Sequence, residues 1–176
     1  MRYFFIFFLF SILNGQSILP SLHSWFSAIE LSTAGGGSLI MSPTSRINNP
    51  ANSIFKKSFS TSLILYPAEI QAQSLALTYP LEKKIIVVGI NHISYGAFQG
   101  YDENATPTNN YNSNDTWIKL GYSTKPGIKN INYGFSTQIY FSNLANYYYS
   151  GILFSGGFIW QIKKHNLNIG LSIEDM

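Results

Sequence analysis

The chain has 176 residues, no cysteine and a formal net charge of +3. The lack of cysteine excludes a disulfide framework and any thiolate metal site, and so small and scattered a charge excludes a nucleic-acid-binding stripe. Charged residues make up 11% of the chain and aromatic residues 16%, whereas soluble domains carry about 25% charged residues. This composition is typical neither of a helical membrane protein nor of a disordered chain, and it favours strands and turns.

Residues 1–17 have the pattern of a secretory signal peptide. Arg2 supplies the positive charge, Tyr3–Leu13 supply an apolar core, and Asn14–Ser17 supply small residues for cleavage. The apolar core is too short to span a bilayer as a helix, and no run of about 18 apolar residues follows it. We therefore expect an exported protein of the cell outer membrane. Without a spanning helix, it would cross that membrane with strands that close into a barrel.

Residues 18–57 differ in composition from the rest of the chain and are interpreted as a short periplasmic, plug-like segment. They contain the glycine run Gly35, Gly36 and Gly37, followed by Asn49, Pro50 and Ala51. The glycine run lacks the Gly-Lys-Ser/Thr ending and the strand–helix context of a phosphate loop. It indicates tight backbone packing, in which the segment folds against or into the mouth of a barrel.

From Ser58 to the last residue the sequence predicts a partial β-barrel. Seven segments alternate between apolar and polar residues with a period of two, which is typical of strands in an outer-membrane barrel, apolar toward lipid and polar toward the lumen. The predicted strands are 58–66, 71–80, 84–101, 115–124, 130–142, 148–162 and 165–174. The predicted fold class is an all-β, antiparallel, up-and-down transmembrane β-barrel.

Seven strands are fewer than the even number, from eight upward, that bacterial barrels have. Either the first segment supplies a missing strand, or the chain is the N-terminal half of a longer barrel. We expect the second arrangement, in which the chain is truncated.

The predicted connections alternate in length and charge. Those at 81–84, 125–129 and 163–165 are short and rich in lysine, whereas those at 67–70, 102–114 and 143–147 include one long loop and carry acidic residues. Since outer-membrane barrels have short periplasmic turns and longer outer loops, we expect the lysine rim in the periplasm and the acidic rim outside. Aromatic residues near strand ends suit an outer interfacial girdle: Tyr95, Phe98, Tyr101, Trp117, Tyr147, Tyr148 and Tyr149.

The order of motifs resembles a known family. After the glycine run and Asn49-Pro50-Ala51 comes a block with Tyr95, Gly96 and Phe98, followed by Asp102 and Glu103. This order resembles the PorV/PorQ family of FadL-like outer-membrane β-barrel proteins, and its PorQ-like members most. The acidic residue that the family usually has ahead of Asn-Pro-Ala is missing here, and the family barrel is about twice this length.

The resemblance implies a role in the type IX secretion system, which carries proteins across the outer membrane and attaches them at the surface. It implies as partners other secretion-system proteins and secreted cargo proteins. The strand pattern adds outer-membrane lipid, and the small charge leaves no nucleic acid among the expected partners. The resemblance also implies interaction roles for the residues that carry it. They are Gly35, Gly36, Gly37, Asn49, Pro50, Ala51, Tyr95, Gly96, Phe98, Asp102 and Glu103.

Two alternatives remain open at the level of sequence. A FadL-like transporter of hydrophobic small molecules would use the N-terminal segment as a plug or lateral gate. A secreted β-sandwich adhesin would bury one apolar face and expose a charged one, which the scarcity of charge on the polar faces disfavours.

The sequence offers no catalytic, cofactor or metal site. The three histidines are not paired with another ligand at helical spacing, and His92 shares a strand face with Ile90 and Ser94, which favours packing or hydrogen bonding in the lumen over metal ligation. Asp102 and Glu103 form a carboxylate pair without the twelve-residue pattern of a calcium loop. We therefore expect a solvated loop there and no enzymatic activity.

Overall fold

The computed structural model describes residues 27–32, 49–52, 56–124 and 130–175. The predicted signal peptide, the glycine run at 35–37 and the lysines at 125 and 129 lie outside the described residues. The described chain contains one short helix, α1 (Ala28–Ser32), one 3₁₀ turn (Lys163–His165) and seven strands. The strands are β1 (Ser58–Leu65), β2 (Gln71–Pro80), β3 (Lys84–Phe98), β4 (Tyr111–Thr124), β5 (Ile131–Leu144), β6 (Tyr147–Ile162) and β7 (Leu167–Asp175).

All seven strands form one sheet in the order β1-β2-β3-β4-β5-β6-β7. Each strand pairs antiparallel with the next along the chain. The all-β, antiparallel, up-and-down arrangement and the number of predicted strands are thereby confirmed. The sheet is open, because β1 and β7 are its two edges and do not pair with each other among the described residues.

The boundaries of β3 and β4 differ from the prediction. β3 ends at Phe98, and β4 begins at Tyr111, four residues earlier than predicted. The polar stretch at 112–114 has little strand propensity of its own. It is extended because its backbone pairs on both sides, for instance Asn114 with Ser94 and with Asn143. The long connection is therefore 99–110, and an isolated bridge between Tyr101 and Pro107 closes it.

The two sides of the sheet have opposite composition. On one side, here called the exposed face, large apolar side chains lie open; Phe135 is 51% exposed. On the other, here called the buried face, Ser136 and Gln138 are 1% and 2% exposed. The exposed face carries Leu75, Leu77, Tyr79, Val88, Ile90, Ile118, Leu120, Tyr133, Phe135, Ile139, Phe141, Ile152, Phe154, Phe158, Trp160, Leu167, Ile169, Leu171 and Ile173.

One irregularity interrupts this alternation. The register of β3 against β4 shifts between Ser94 and Ala97, so that one extra residue enters β3 as a β-bulge. Gly96 has φ +82° at this point, a conformation that glycine adopts without strain. The bulge reverses the side-chain alternation beyond it, and Phe98 pairs with Tyr111 and stacks on its ring at 5.4 Å between centroids.

The up-and-down order gives the sheet two chemically distinct ends. The lysine end holds the connections β2–β3, β4–β5 and β6–β7, with Lys83, Lys163 and Lys164 in the described ones. The acidic end holds the connections β1–β2, β3–β4 and β5–β6, with Glu69, Asp102 and Glu103. The two sets of connections therefore lie at opposite ends of the sheet as predicted, although the lysine end also carries Glu82.

Candidate functional site

Residues 49–52 form a turn on the buried face at the lysine end, far from the acidic connections. All four residues are buried, and the amide of Asn52 donates to the carbonyl of Asn49 over 2.8 Å. The side-chain oxygen of Asn49 accepts the backbone N–H of Ala51 at 3.0 Å. The turn is therefore closed by its own first residue, and Pro50 fixes φ at its corner.

The side-chain amide of Asn49 also anchors the turn to the sheet. Its nitrogen donates to the carbonyl oxygens of Phe158 in β6 and Leu171 in β7, each at 3.1 Å. The Ser123 hydroxyl in β4 donates to the carbonyl oxygen of Ala51 at 3.4 Å. The turn thus bonds to three strands that are 72 to 122 residues away in sequence.

Two glycines make room for this contact. Gly134 in β5 pairs directly with Gly157 in β6. A Cβ atom on Gly134 would collide with the backbone of Pro50 and Ala51, and one on Gly157 would collide with the side chain of Asn49. Absence of a side chain at both positions is what allows main chain to approach the sheet this closely.

Small hydroxyl residues surround the glycine pair. Ser136 and Ser155 are buried and share a hydrogen bond of 2.6 Å between their hydroxyls. Among the described residues, the buried side-chain amide nitrogen of Asn52 and the side-chain oxygen of Asn132 have no hydrogen-bond partner. The lysine-end half of the buried face is therefore lined by glycine, serine and asparagine. Such a surface can pack against a polar backbone segment.

The acidic-end half of the buried face is apolar instead. Trp117 and Tyr140 pack with ring centroids 5.3 Å apart, and each is 1% exposed. Ala72, Ile93 and Leu153 complete this cluster. The prediction of an interfacial girdle is wrong for Trp117, because the parity of β4 turns its side chain to the buried face.

Tyr95 joins the same cluster and not a girdle. It packs against the apolar cluster, and its hydroxyl donates to a carboxylate oxygen of Asp115 at 2.9 Å. Asp115 is 5% exposed and lies within β4. Both positions follow from the regular alternation of their strands, since Ile93 and Asp115 are paired on the buried face ahead of the bulge.

Asp102 and Glu103 lie in the loop at 99–110. The Asp102 side chain accepts the backbone amides of Asn104 and Thr106 at 2.9 and 2.8 Å, and its carbonyl oxygen accepts that of Ala105 at 3.0 Å. The carboxylate therefore closes the loop on itself. Glu103 is exposed, and among the described residues no group of three or more His, Cys, Asp or Glu side chains is placed to hold a metal ion.

His92 lies on the exposed face, contrary to the interpretation that placed it in the lumen. Its Nδ1 shares a hydrogen bond of 2.8 Å with the Thr116 hydroxyl on β4. His92 and Thr116 are direct partners in the sheet register, so the bond links two neighbouring strands across the exposed face.

The structure divides the sequence-derived site residues into two groups. Asn49, Pro50 and Ala51 come together at the lysine end, whereas the residues of the 95–103 block lie at the acidic end. Sequence reasoning missed Gly134 and Gly157 as the receptor for the turn. Their signal is present in the pattern, because each occupies a polar-side position of its strand where a side chain would be expected.

Comparisons with protein-family models, with curated proteins and with solved structures give no match for this chain. Within the described residues, no helix has the length and apolar character needed to cross a membrane.

Proposed function

We propose that this chain is the strand-rich part of an outer-membrane β-barrel that serves type IX protein secretion and surface attachment through contacts with other proteins. The observation that carries the membrane assignment is the reversed burial of the sheet, with leucine, isoleucine and phenylalanine exposed and serine, asparagine and glutamine buried. Apolar area left in water costs about 25 cal/mol per Å². If the exposed face of strands β2–β7 lies against lipid hydrocarbon, its apolar area is no longer in water and this cost disappears.

The dimensions of the exposed face support the same proposal. On β5 the apolar side chains run from Ile131 to Phe141, which is about 33 Å of strand at about 3.3 Å per residue. Strands of outer-membrane barrels are inclined by about 35–45°, and their apolar band is about 25 Å tall. An inclination in that range reduces the β5 band to about 25 Å.

The lysine end has the chemistry of a membrane interface. Tyr79 and Tyr122 lie at the edge of the apolar band, and the ammonium groups of Lys57 and Lys84 stand 5.7 Å from their ring centroids. Tyrosine with an apolar body and polar tip, together with lysine that reaches toward water, is favoured at this depth. We place the lysine end at the periplasmic surface and the loop at 99–110 outside the cell.

A peptide tag inserted at Asn109 tests this orientation. Asn109 is exposed within the loop of the acidic end, so the tag should bind antibody on intact cells. A tag inserted after Lys164, in the exposed turn of the lysine end, should bind only after the outer membrane is permeabilised. Antibody binding to the tag at Lys164 but not to the tag at Asn109 on intact cells would reverse the topology. If neither tag binds antibody even in the isolated membrane fraction, the proposed exposure of both turns is wrong.

The secretion role is supported by the resemblance to the PorV/PorQ family. The turn at Asn49–Asn52 docks on the buried face at the lysine end, and we infer that it belongs to a plug that narrows the barrel interior from the periplasmic side. The loop at 99–110 remains open at the other end for partner proteins. Closing the interior would let the barrel act through its surfaces and not as an open pore.

Deletion of the gene should make exported proteins with a C-terminal secretion domain accumulate in the periplasm, as measured by immunoblots of periplasmic and surface fractions. Complementation with the complete gene should restore the attachment of these exported proteins at the cell surface. Unchanged surface display in the deletion strain would rule out the secretion role.

A FadL-like transporter is a second candidate, and the apolar cluster around Trp117 and Tyr140 favours it. It predicts that the same deletion slows uptake of a radiolabelled long-chain fatty acid while surface display stays normal. The β-sandwich adhesin gains no support, because the described residues form one sheet and a sandwich needs two.

A further inference from the structure

Two rows of the sheet near the acidic end carry neutral polar side chains on β2–β4 of the exposed face, and on β1 they are flanked by the exposed Leu65 and Leu63. The sheet register aligns Gln71 with Ser94, Asn114, Asn143 and Tyr148 in one row. The next row toward the lysine end aligns Gln73 with His92 and Thr116 on β3 and β4. We call the part of these rows on β2–β4 the polar patch; it consists of Gln71, Gln73, His92, Ser94, Asn114 and Thr116.

The polar patch shortens the apolar band on three strands. On β2 the apolar residues run from Leu75 to Tyr79, with Leu81 just beyond the strand, which is about 20 Å at about 3.3 Å per residue. On β5 they extend over about 33 Å by the same measure. A bilayer has the same thickness beside β2 as beside β5, so further residues of β2–β4 must lie within the apolar layer.

Charge decides which residues those are. Toward the lysine end the band on β2 and β3 is followed by Glu82, Lys83 and Lys84, whereas toward the acidic end the band on β2–β4 is followed by Gln73, His92 and Thr116. Moving an ammonium group into hydrocarbon costs far more than burying a neutral polar group that is hydrogen-bonded. The polar patch is therefore the part that enters the apolar layer.

Polar groups at that depth need hydrogen-bond partners. The bond between His92 and Thr116 satisfies one pair, but Gln71 and Gln73 are exposed. Phosphate-bearing lipid headgroups would be held by lysine or arginine, and the described residues of the acidic end include neither. The patch is neutral and rich in amides and hydroxyls, which matches a protein surface with the same groups.

We propose that the polar patch is a lateral docking surface for a second integral outer-membrane protein, which meets it with neutral hydrogen-bonding side chains in the plane of the membrane. This inference rests on the proposed outer-membrane function and adds where on the sheet the partner binds.

Spin labels at single cysteines test the docking surface, because the chain has no cysteine of its own. His92→Cys and Thr116→Cys report on the patch, and Ile152→Cys and Phe154→Cys on the exposed apolar face serve as matched controls. Collision of the label with oxygen reports lipid, collision with a water-soluble nickel chelate reports water, and low collision with both reports cover by protein. Isolated outer membranes from the cysteine-free wild type give the background spectrum.

In native outer membranes we expect labels at 92 and 116 to collide little with either reagent, while labels at 152 and 154 collide strongly with oxygen. After purification and reconstitution alone into phospholipid vesicles, oxygen collision at 92 and 116 should rise several-fold, with the controls unchanged. A Gln71→Leu, Gln73→Leu double variant with a reporter at Asn114→Cys should lose its shielding in native membranes yet remain heat-modifiable on gels.

The other outcomes separate the possible errors. Strong oxygen collision at 92 in native membranes would mean that lipid covers the patch, and strong nickel collision would mean that the patch lies above the bilayer. Shielding that persists in the reconstituted protein would mean that the chain covers the patch itself. Each of these overturns the docking surface alone, whereas strong nickel collision at 154 would overturn the membrane function as well.

Discussion

Phe135→Arg should lower the free energy of unfolding in a bilayer by about 2–4 kcal/mol, the cost of a cation at the midplane of a barrel's lipid face. Phe135 lies in the middle of β5, 51% exposed, and its ring is 6.0 Å from that of Phe154 on the neighbouring strand. An arginine there loses the ring contact and places a guanidinium in hydrocarbon. In cells, less of the heat-modifiable, assembled form should reach the outer membrane.

Two variants control for this effect. Phe135→Leu keeps an apolar side chain and should assemble almost normally. Tyr147→Arg introduces the same cation at the acidic end of β6, where the native side chain is 78% exposed, and near the interface such a change costs only about 0–1 kcal/mol.

Urea titration of the protein folded in vesicles measures all three variants. A loss that is equal for Phe135→Arg and Tyr147→Arg would show that depth has no influence, and the exposed face would then not be a lipid face. A loss confined to Phe135→Arg supports the membrane assignment through energetics, independently of the tag experiment.

The sequence was sufficient for the strands and for their order, because both depend on local information. A period of two places residues such as Phe135 and Gln138 on opposite sides wherever the strand lies, and turn residues at regular spacing favour consecutive pairing. The local pattern does not assign a side to residues 85–88, because this run is apolar at every position. Ile85 and Val87 face the buried side while Val88 is exposed, and cross-strand pairing, not composition, determines that choice.

The docked turn could not be predicted from the sequence. Asn49 bonds to carbonyl oxygens 109 and 122 residues away. Every residue has a backbone carbonyl group, so the sequence does not indicate which one accepts such a bond. The positions of Tyr95 and His92 were missed for a related reason. Tyr95 bonds to Asp115 on the neighbouring strand, a contact that depends on strand pairing, and His92 is a polar residue on an apolar face, where alternation alone would not place it.

Gly134→Ala should displace the turn at Asn49–Asn52 from the sheet. The new Cβ atom would meet the carbonyl group of Pro50 and the amide of Ala51, which are backbone atoms and cannot rotate away as a side chain would. Overpacking of this kind costs about 1–3 kcal/mol. If the turn moves instead of the strand, the two Asn49 bonds to β6 and β7 are lost at about 0.5–1.5 kcal/mol each.

Gly156→Ala is the matched control for this change. Gly156 is one residue away from the Gly157 that pairs with Gly134, and a Cβ atom there would have no heavy atom within 4 Å. Alanine at such a position should be neutral or slightly stabilising, because it lowers the entropy of the unfolded chain. Limited proteolysis of the folded protein, read at the peptide bonds around residue 50, should show cleavage in Gly134→Ala and protection in Gly156→Ala.

Asn49→Ala tests the side chain that anchors the turn separately from the two glycines that make room for it. It removes the bonds to β6 and β7 but leaves Gly134 and Gly157 unchanged, and it should expose the same peptide bonds to protease. Because both variants act on one contact, the double variant Asn49→Ala, Gly134→Ala should be little less stable than either alone. Strictly additive losses would mean that the two residues stabilise different contacts, and the turn would then not be the element that occupies the glycine pair.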